Sequence, residues 1–412
     1  MLDLLKIRAD FPILSRLLNG KPLAYLDSAA TSQKPLSVIQ SLVDFYSHSN
    51  ANIHRAAHGM GNEATSAFEE ARAATATFIG ANSPNEVVFT RNATEAINLV
   101  AQAWGRAHVG PGDEIVISEM EHHANLVPWH MLAKETGAVL KFIPVRPDGR
   151  LDMEQAAALF SDRTRMLALS WVSNVLGTIN PVKELTALAK KRGAMVLLDA
   201  AQAAPHFALD LKDSGADFAA FSAHKLLGPT GVGVLWGKEA VLDAMPPWQG
   251  GGSMIRLVSR DAISYNRVPW RFEAGTPDIG GVIAFHAALR YLSSLGWDAM
   301  QAHEKVLGDA ALKRFASIPG FKLFGPSDMT DRLAVFSFDL EGVNCQDIGA
   351  LLDSMGVAIR TGNHCAQPLM GRFQVSGMAR VSFYLYNTLD EVERAAQAIE
   401  KARKILGMAA KS

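Results

Sequence analysis

The sequence predicts an α/β fold, with a large domain built on a mainly parallel sheet between helices and a smaller α+β domain at the C-terminal end. Three observations carry this. Six short apolar runs alternate with helical patterns over the first three hundred residues, period-two runs replace them after about residue 290, and 412 residues exceed what one ordinary domain holds. The six runs are Val87–Thr90, Glu114–Ser118, Met166–Leu169, Met195–Asp199, Phe218–Ser222 and Gly231–Trp236. Unbroken hydrophobicity of that length suits strands covered on both faces. Between two of them, Leu185, Leu188 and Ala189 mark a buried helical face, and Gly193 is its expected stop. Trp248–Ser253 reads as a loop. Further on, Ala334, Phe336, Phe338 and Leu340 share one face of the run 332–340, and Val381, Phe383 and Leu385 share one face of 378–386. The last helix opens on a capping box of Thr388 and Glu391. It carries an apolar stripe of Val392, Ala395, Ala396, Ile399 and Ala402, and Gly407 is expected to end it. The expected domains are 18–290, and 1–17 together with 291–412.

Composition excludes several function classes. Forty Lys and Arg against 41 Asp and Glu leave a net charge of −1, which lacks the basic footprint of a general nucleic-acid binder. With 49% apolar and 20% charged residues the chain can bury a sizeable core. Two cysteines, Cys345 and Cys365, are too few for a disulfide framework or an all-cysteine zinc site. The first ten residues mix acids and bases where a signal peptide needs an apolar stretch. No apolar run approaches the roughly 18 residues of a membrane span. The expectation is a soluble, cytoplasmic protein.

Chemistry concentrates at predicted strand ends, the edge where open α/β sheets collect ligands. Asp199 closes one strand, Gln202 follows it, and Ser222-Ala223-His224-Lys225 closes the next. An acid, an amide and a lysine converging there fit pyridoxal phosphate (PLP), whose aldehyde a lysine binds as a Schiff base while a carboxylate keeps the ring nitrogen protonated. The plainer alternative makes Asp199 a helix cap and Lys225 a solvated surface lysine. Asn92-Ala93-Thr94-Glu95 opens a helix after a strand and so offers N–H groups to a phosphate, or is an ordinary cap. Gly228–Gly233 leads into a strand and lacks the Gly-Lys-Ser/Thr of a nucleotide loop; it reads as a turn. His122 and His123 are adjacent and so face different sides, which disfavours a shared metal and leaves one imidazole to stack on a flat cofactor or to serve the core. His54, Arg55 and His58 form a polar cluster of undecided role. In Arg360-Thr361-Gly362-Asn363-His364-Cys365, a cysteine beside an arginine and a histidine suits a stabilised thiolate, against the commoner fate of a small buried hydrophobe. Arg360 and Arg380 suit bidentate capture of a carboxylate.

Taken in order, these segments resemble the cysteine desulfurases of the class V aminotransferase group of fold type I, and within it the SufS-like, group II branch. The resemblance runs from Ala24-Tyr25-Leu26-Asp27-Ser28-Ala29-Ala30 to the final helix. It is carried by Met120–Asn125, Val172–Gly177, Asp199–Gln202, Ser222–Lys225, Trp270–Pro277 and the cysteine loop. Asn363 departs from it, standing where many relatives have the first histidine of a His-His-Cys run. The resemblance implies a seven-stranded-type sheet and PLP held by Lys225, which also moves the substrate Cα proton. It implies that Asp199 pairs with the pyridine nitrogen, that Gln202 meets the phenolic oxygen, and that His122 stacks on the ring. Thr94, Ser222 and His224 would bind the phosphate, with Thr276 reaching in from the second subunit of a homodimer. Asn174 and Arg380 would hold the carboxylate of L-cysteine, with Arg360 nearby. Cys365 would accept the sulfur, with Arg360 or His364 favouring its thiolate, and pass it on for iron–sulfur cluster assembly. The segment Val343-Asn344-Cys345-Gln346 lacks the histidine that a SufU-type acceptor looks to need, so a SufE-like acceptor is expected. Two alternatives remain: selenocysteine lyase activity on the same scaffold, and a metal-dependent hydrolase using His54, His58, His122, His123 and His364.

Overall fold

The computed structural model describes residues 2–409. Its centre is a seven-stranded sheet formed by Val87–Thr90 (β1), Glu114–Ser118 (β2), Val139–Ile143 (β3), Thr164–Ser170 (β4), Met195–Asp199 (β5), Phe218–Ser222 (β6) and Gly233–Gly237 (β7). The spatial order is β1-β7-β6-β5-β4-β2-β3. All neighbours are parallel except β7, which runs antiparallel to both β1 and β6. Successive residues of a strand enter different cores. Val116, Val196, Leu198, Val234 and Trp236 join one apolar cluster, and Ile115, Ile117, Leu197 and Leu235 the other. Both faces are therefore dry, which explains the unbroken apolar runs. The helices Gly59–Phe78 (α1) and Ile279–Leu295 (α4) supply the first cluster with Phe68, Ala71, Val282 and Phe285. Ala93–Val100 (α2) supplies the second with Ala96, Ile97 and Val100. The helix expected before Gly193 spans Val182–Lys190 (α3), and Gly193 adopts φ +72° beyond it.

Two strands depart from expectation. β3 lies at the sheet edge with Val139 and Phe142 exposed and Lys141 between them, so it never shows the apolar run of a central strand. β7 begins at Gly233 rather than Gly231, because Gly231 belongs to the turn, with φ +87°. A Cβ on Gly233 would lie 2.4 Å from the Asn92 backbone, so only glycine lets that strand pass the start of α2.

The C-terminal region holds a four-stranded antiparallel sheet of Phe321–Phe324 (β8), Val335–Leu340 (β9), Arg360–Gly362 (β10) and Met378–Ser382 (β11), in the order β8-β9-β11-β10. Phe336, Phe338 and Leu340 pack with Leu307, Ala311 and Phe315 of Trp297–Ala316 (α5) and with Val392, Ala396 and Ile399 of Leu389–Ala409 (α6). The capping box is present: Glu391 Oε2 accepts the Thr388 N–H at 3.0 Å, and Thr388 Oγ1 accepts the Glu391 N–H at 3.3 Å. Helix α6 continues through Gly407 to Ala409 rather than stopping there. β11 ends at Ser382, where Asn387 Oδ1 takes the Tyr384 N–H and turns the chain. Leu385 accordingly packs in the first cluster of the central sheet, while Val381 and Phe383 stay with Phe336 and Phe338 in the core of the C-terminal sheet. Near the N-terminus, Ile7, Phe11 and Leu14 pack in the first cluster of the central sheet, whereas Ala24 and Leu26 pack in the core of the C-terminal sheet. No helix among the described residues is long and apolar enough to cross a membrane.

One buried ion pair ties α1 to the sheet. Arg72, 1% exposed, donates to both oxygens of Glu273 at 2.6 and 2.9 Å and to Glu69 at 2.9 Å, while Glu273 also accepts the Phe89 N–H. Burial would raise Glu69, but His54 and Arg72 donate to it and hold it near 2. Removing one partner strands the other charge. Arg72→Met is expected to lower stability by about 3–5 kcal/mol, and Arg72→Met with Glu273→Gln by clearly less. Denaturant midpoints of both variants check this.

Candidate active site

The C-terminal ends of β2, β4, β5 and β6 open into a cavity of about 330 Å³. Its lining includes Thr94, His122, Asn174, Asp199, Gln202, Ser222, His224, Lys225, Arg360, His364, Cys365 and Arg380. Every expected site residue but Thr276 is thus brought to one place. Thr276 lines a second cavity with Trp248, Gln249 and Asp278.

Asp199 ends β5 as a buried carboxylate whose one hydrogen bond among the described residues comes from the Ala201 N–H, at 3.0 Å. Burial raises its pKa, against the pull of that N–H and of Lys225. A buried carboxylate with so few donors fits a cationic ring N–H arriving from a ligand. Lys225 follows β6 in a short turn. Burial, aided by Arg380 and Arg360, lowers it to about 8, while Asp199 and Cys365 oppose. Such an amine stays mainly protonated near physiological pH but keeps a far larger neutral fraction than an ordinary lysine, and that fraction can attack an aldehyde. At the start of α2, Asn92 Oδ1 takes the Glu95 N–H and Ser222 Oγ takes the Ala93 N–H. The Thr94 N–H and hydroxyl are left without a protein partner among the described residues. A helix N-terminus with free donors suits a phosphate. His224 Nδ1 lies 3.2 Å from Thr31 Oγ1, and Gln202 Nε2 donates to the Ala29 carbonyl at 2.7 Å. This donor set fits PLP: a lysine, a buried acid and an anion cradle share one cavity.

His122 is held by the Ala124 N–H on its Nδ1 at 3.0 Å, and burial, reinforced by Lys225, lowers it to about 4. It presents a neutral ring to the cavity. His123 faces away, as expected of neighbours, and serves the cysteine loop: its N–H donates to the Cys365 carbonyl at 2.7 Å, and its Nε2 accepts the Gln367 N–H at 3.2 Å. Asn174 Nδ2 donates to the His364 carbonyl at 2.8 Å, so two residues of the large sheet's loops hold the loop from the small sheet. His364 and Cys365 both adopt left-handed φ, +50° and +57°, a strained pairing for side-chain-bearing residues that is met at functional sites. Asn363, the departure in the motif, is structural here, its Oδ1 accepting the Cys365 N–H at 3.0 Å.

Cys365 is exposed, while Cys345 is half-buried at the start of the helix Cys345–Ser354. His364 corrects an expectation. Burial, with Arg380 nearby, pushes it down to about 3, and its Nδ1 lacks a partner among the described residues. A neutral imidazole brings no positive charge to the neighbourhood of Cys365.

Three buried or half-buried charged side chains around the site escaped sequence reasoning. Asp27 receives both Arg360 and Arg380. Glu121 is fully buried under donors from Ser118, Ser170 and Asn125; burial raises it to about 7 against them. Lys34 donates to the His224 carbonyl, and burial lowers it to about 7. Asp27 carried a signal, a polar residue closing an apolar strand; the other two become visible only once distant strands are side by side. The histidines of the hydrolase alternative are dispersed: His54 pairs with Glu69, His58 caps α1, and His364 bonds the Met378 carbonyl. Among the described residues no group of three or more His, Cys, Asp or Glu is placed to hold a metal.

The class V aminotransferase family model matches residues 24–395, and the chain belongs to that family. Among its relatives, the cysteine desulfurase of Klebsiella pneumoniae is 51% identical over 98% of both chains. That of Dickeya dadantii is 52% identical over 98% of this chain and 97% of its own. The crystal structure of the cysteine desulfurase CsdA from Escherichia coli superposes with a TM-score of 0.91 at 39% identity, covering 98% of this chain and all of that one.

Proposed function

We propose that the chain is a PLP-dependent cysteine desulfurase that converts L-cysteine to L-alanine and takes the sulfur onto Cys365. The observation that carries this is the single cavity shared by Lys225, Asp199, Arg380 and an exposed cysteine. Held by Lys225, PLP would supply an electron-withdrawing ring conjugated to the substrate Cα. Asp199 would keep a proton on the ring nitrogen, Gln202 would meet the phenolic oxygen, and His122 would cover one ring face. Thr94, Ser222 and His224 would hold the phosphate, completed by Thr276 from a second copy in a homodimer. Asn174 and Arg380 orient the substrate carboxylate, with Arg360 at the more exposed side. Lys225 Nζ, lowered to about 8, is a base matched to the Cα proton near neutral pH. The Cys365 thiolate attacks the substrate sulfur. An S–S bond forms as the substrate Cβ–S bond breaks, and the electron pair stays with the carbon fragment, which takes up a proton and leaves as L-alanine. Cys365 is left as a persulfide, and no outside oxidant is needed.

The motifs of the cysteine loop and of Met120–Asn125 support placement in the SufS-like, group II branch. The lack of histidine in 343–346 supports a SufE-like acceptor, with the sulfur bound for iron–sulfur cluster assembly in the cytoplasm. Incubating the holoenzyme with L-cysteine is expected to yield alanine and persulfide sulfur in equal amounts, faster with a SufE-type protein. Turnover of L-selenocysteine with none of L-cysteine would instead assign a selenocysteine lyase.

A further inference from the structure

Two guanidinium groups border the cavity, yet they share one carboxylate. Arg360 donates from Nε and Nη2 to Asp27 at 3.0–3.2 Å, and Arg380 donates from Nη2 to Asp27 Oδ1 at 3.1 Å. Asp27 is absent from the cavity lining. It stands behind the arginines, where the chain leaves the short strand Ala24–Tyr25 and runs beside Ser382. Arg380, 2% exposed, gives Nη1 to the Asn174 carbonyl at 2.8 Å, and its buried Nε has no partner among the described residues. A buried guanidinium N–H left over marks room for one more acceptor.

The charges around the cavity can be counted. Lys225 and Asp199 oppose each other, and His122, His224 and His364, lowered to about 4, 4 and 3 by burial, are neutral. Within the cluster of Arg360, Arg380 and Asp27, two guanidinium groups against one carboxylate then leave one positive charge to face the substrate carboxylate. We propose that Asp27 is a positioning residue that sets substrate specificity: by neutralising one of the two arginines it fits the cavity to an amino acid with a single carboxylate and disfavours ligands carrying a second anionic group. Specificity here lies in a charge held back as much as in a charge offered. The proposal depends on the desulfurase reading only for the identity of the favoured monoanion.

Propionate and succinate, with one and two carboxylates, probe this in the holoenzyme. Their affinities are read by thermal shift and by inhibition of alanine formation from L-cysteine. In Asp27→Asn the succinate-to-propionate affinity ratio is expected to rise about tenfold over the parent chain, as one unit of unneutralised charge at partly solvated range implies. Arg360→Gln is expected to weaken both anions, and Asp27→Asn with Arg360→Gln to return the parental ratio. An unchanged ratio in Asp27→Asn, or a parallel loss of both anions as a purely structural role would give, overturns the proposal. Should Asp27→Asn fail to fold, the double variant decides: a parental ratio supports the proposal, and a gain for succinate overturns it. Failure of the desulfurase reading shows separately, as absence of alanine from the parent chain, while the thermal-shift ratio still judges Asp27.

Discussion

Lys225→Ala is expected to abolish covalent capture of PLP. The apo variant mixed with PLP should give no borohydride-fixed adduct, and alanine formation from L-cysteine should fall by about 10²–10⁴-fold, the usual worth of a positioned proton-transfer group. The same site predicts a pH dependence in the parent chain. Burial stabilises the neutral amine, so the reactive fraction rises with pH and saturates above about 8, whereas an unperturbed lysine at 10.5 would keep gaining for two further units. The initial rate of adduct formation by the apo protein, measured from pH 6 upwards, should therefore level off near 8 to 9. A rate still climbing steeply at pH 10, or an adduct mapped to another lysine such as Lys34, would assign the covalent chemistry elsewhere. Lys34 is the sharpest internal control, because burial lowers it as well, to about 7, while its Nζ is engaged by the Ser32 and His224 carbonyls.

The central sheet was legible because its strands are dry on both sides. β2 and β5 carry unbroken apolar runs, Ile115–Ile117 and Met195–Leu198, and Asp199 and Ser222 are conspicuous as the polar residues that close β5 and β6. The edge strand β3 alternates with no clear face and was missed for the same reason in reverse. At the site, the residues found were those whose types announce chemistry: lysine, cysteine, arginine, and histidines in pairs. What stayed hidden depended on contacts far apart in the chain. Asp27 meets arginines at 360 and 380, and Glu121 joins Ser118 to Ser170 across two strands. The sense of a perturbation was equally hidden. His364 beside Cys365 suggests a cationic helper, and only its burial shows that it is neutral. Thr276 sits in another cavity of its own chain, so its expected part at the phosphate rests on a second copy that no reading of one chain supplies.

Cys365→Ala is expected to separate cofactor binding from sulfur transfer. Lys225 and the phosphate cradle are untouched by the change, so the variant should keep its visible colour and its borohydride-reducible adduct. The loop should also keep its shape, since it is anchored through main-chain groups: the carbonyl of residue 365 by the His123 N–H, that of His364 by Asn174, and the N–H of residue 365 by Asn363. Alanine meets the φ of +57° at about the same cost as cysteine, since both carry a Cβ. What disappears is the nucleophile, so alanine production from L-cysteine should drop by at least about 10²-fold, and alkylation followed by mass measurement should find no persulfide. Cys345→Ala supplies the contrast. Cys345 is half-buried at a helix start and outside the cavity, and its loss should leave turnover and persulfide labelling as in the parent chain. The reverse result, with labelling lost at 345 and retained without 365, would detach the exposed thiol from the reaction. The strain stored at residues 364 and 365 would then need another purpose, because a loop with two consecutive left-handed, non-glycine residues is held that way by contacts on both sheets rather than by its own preference.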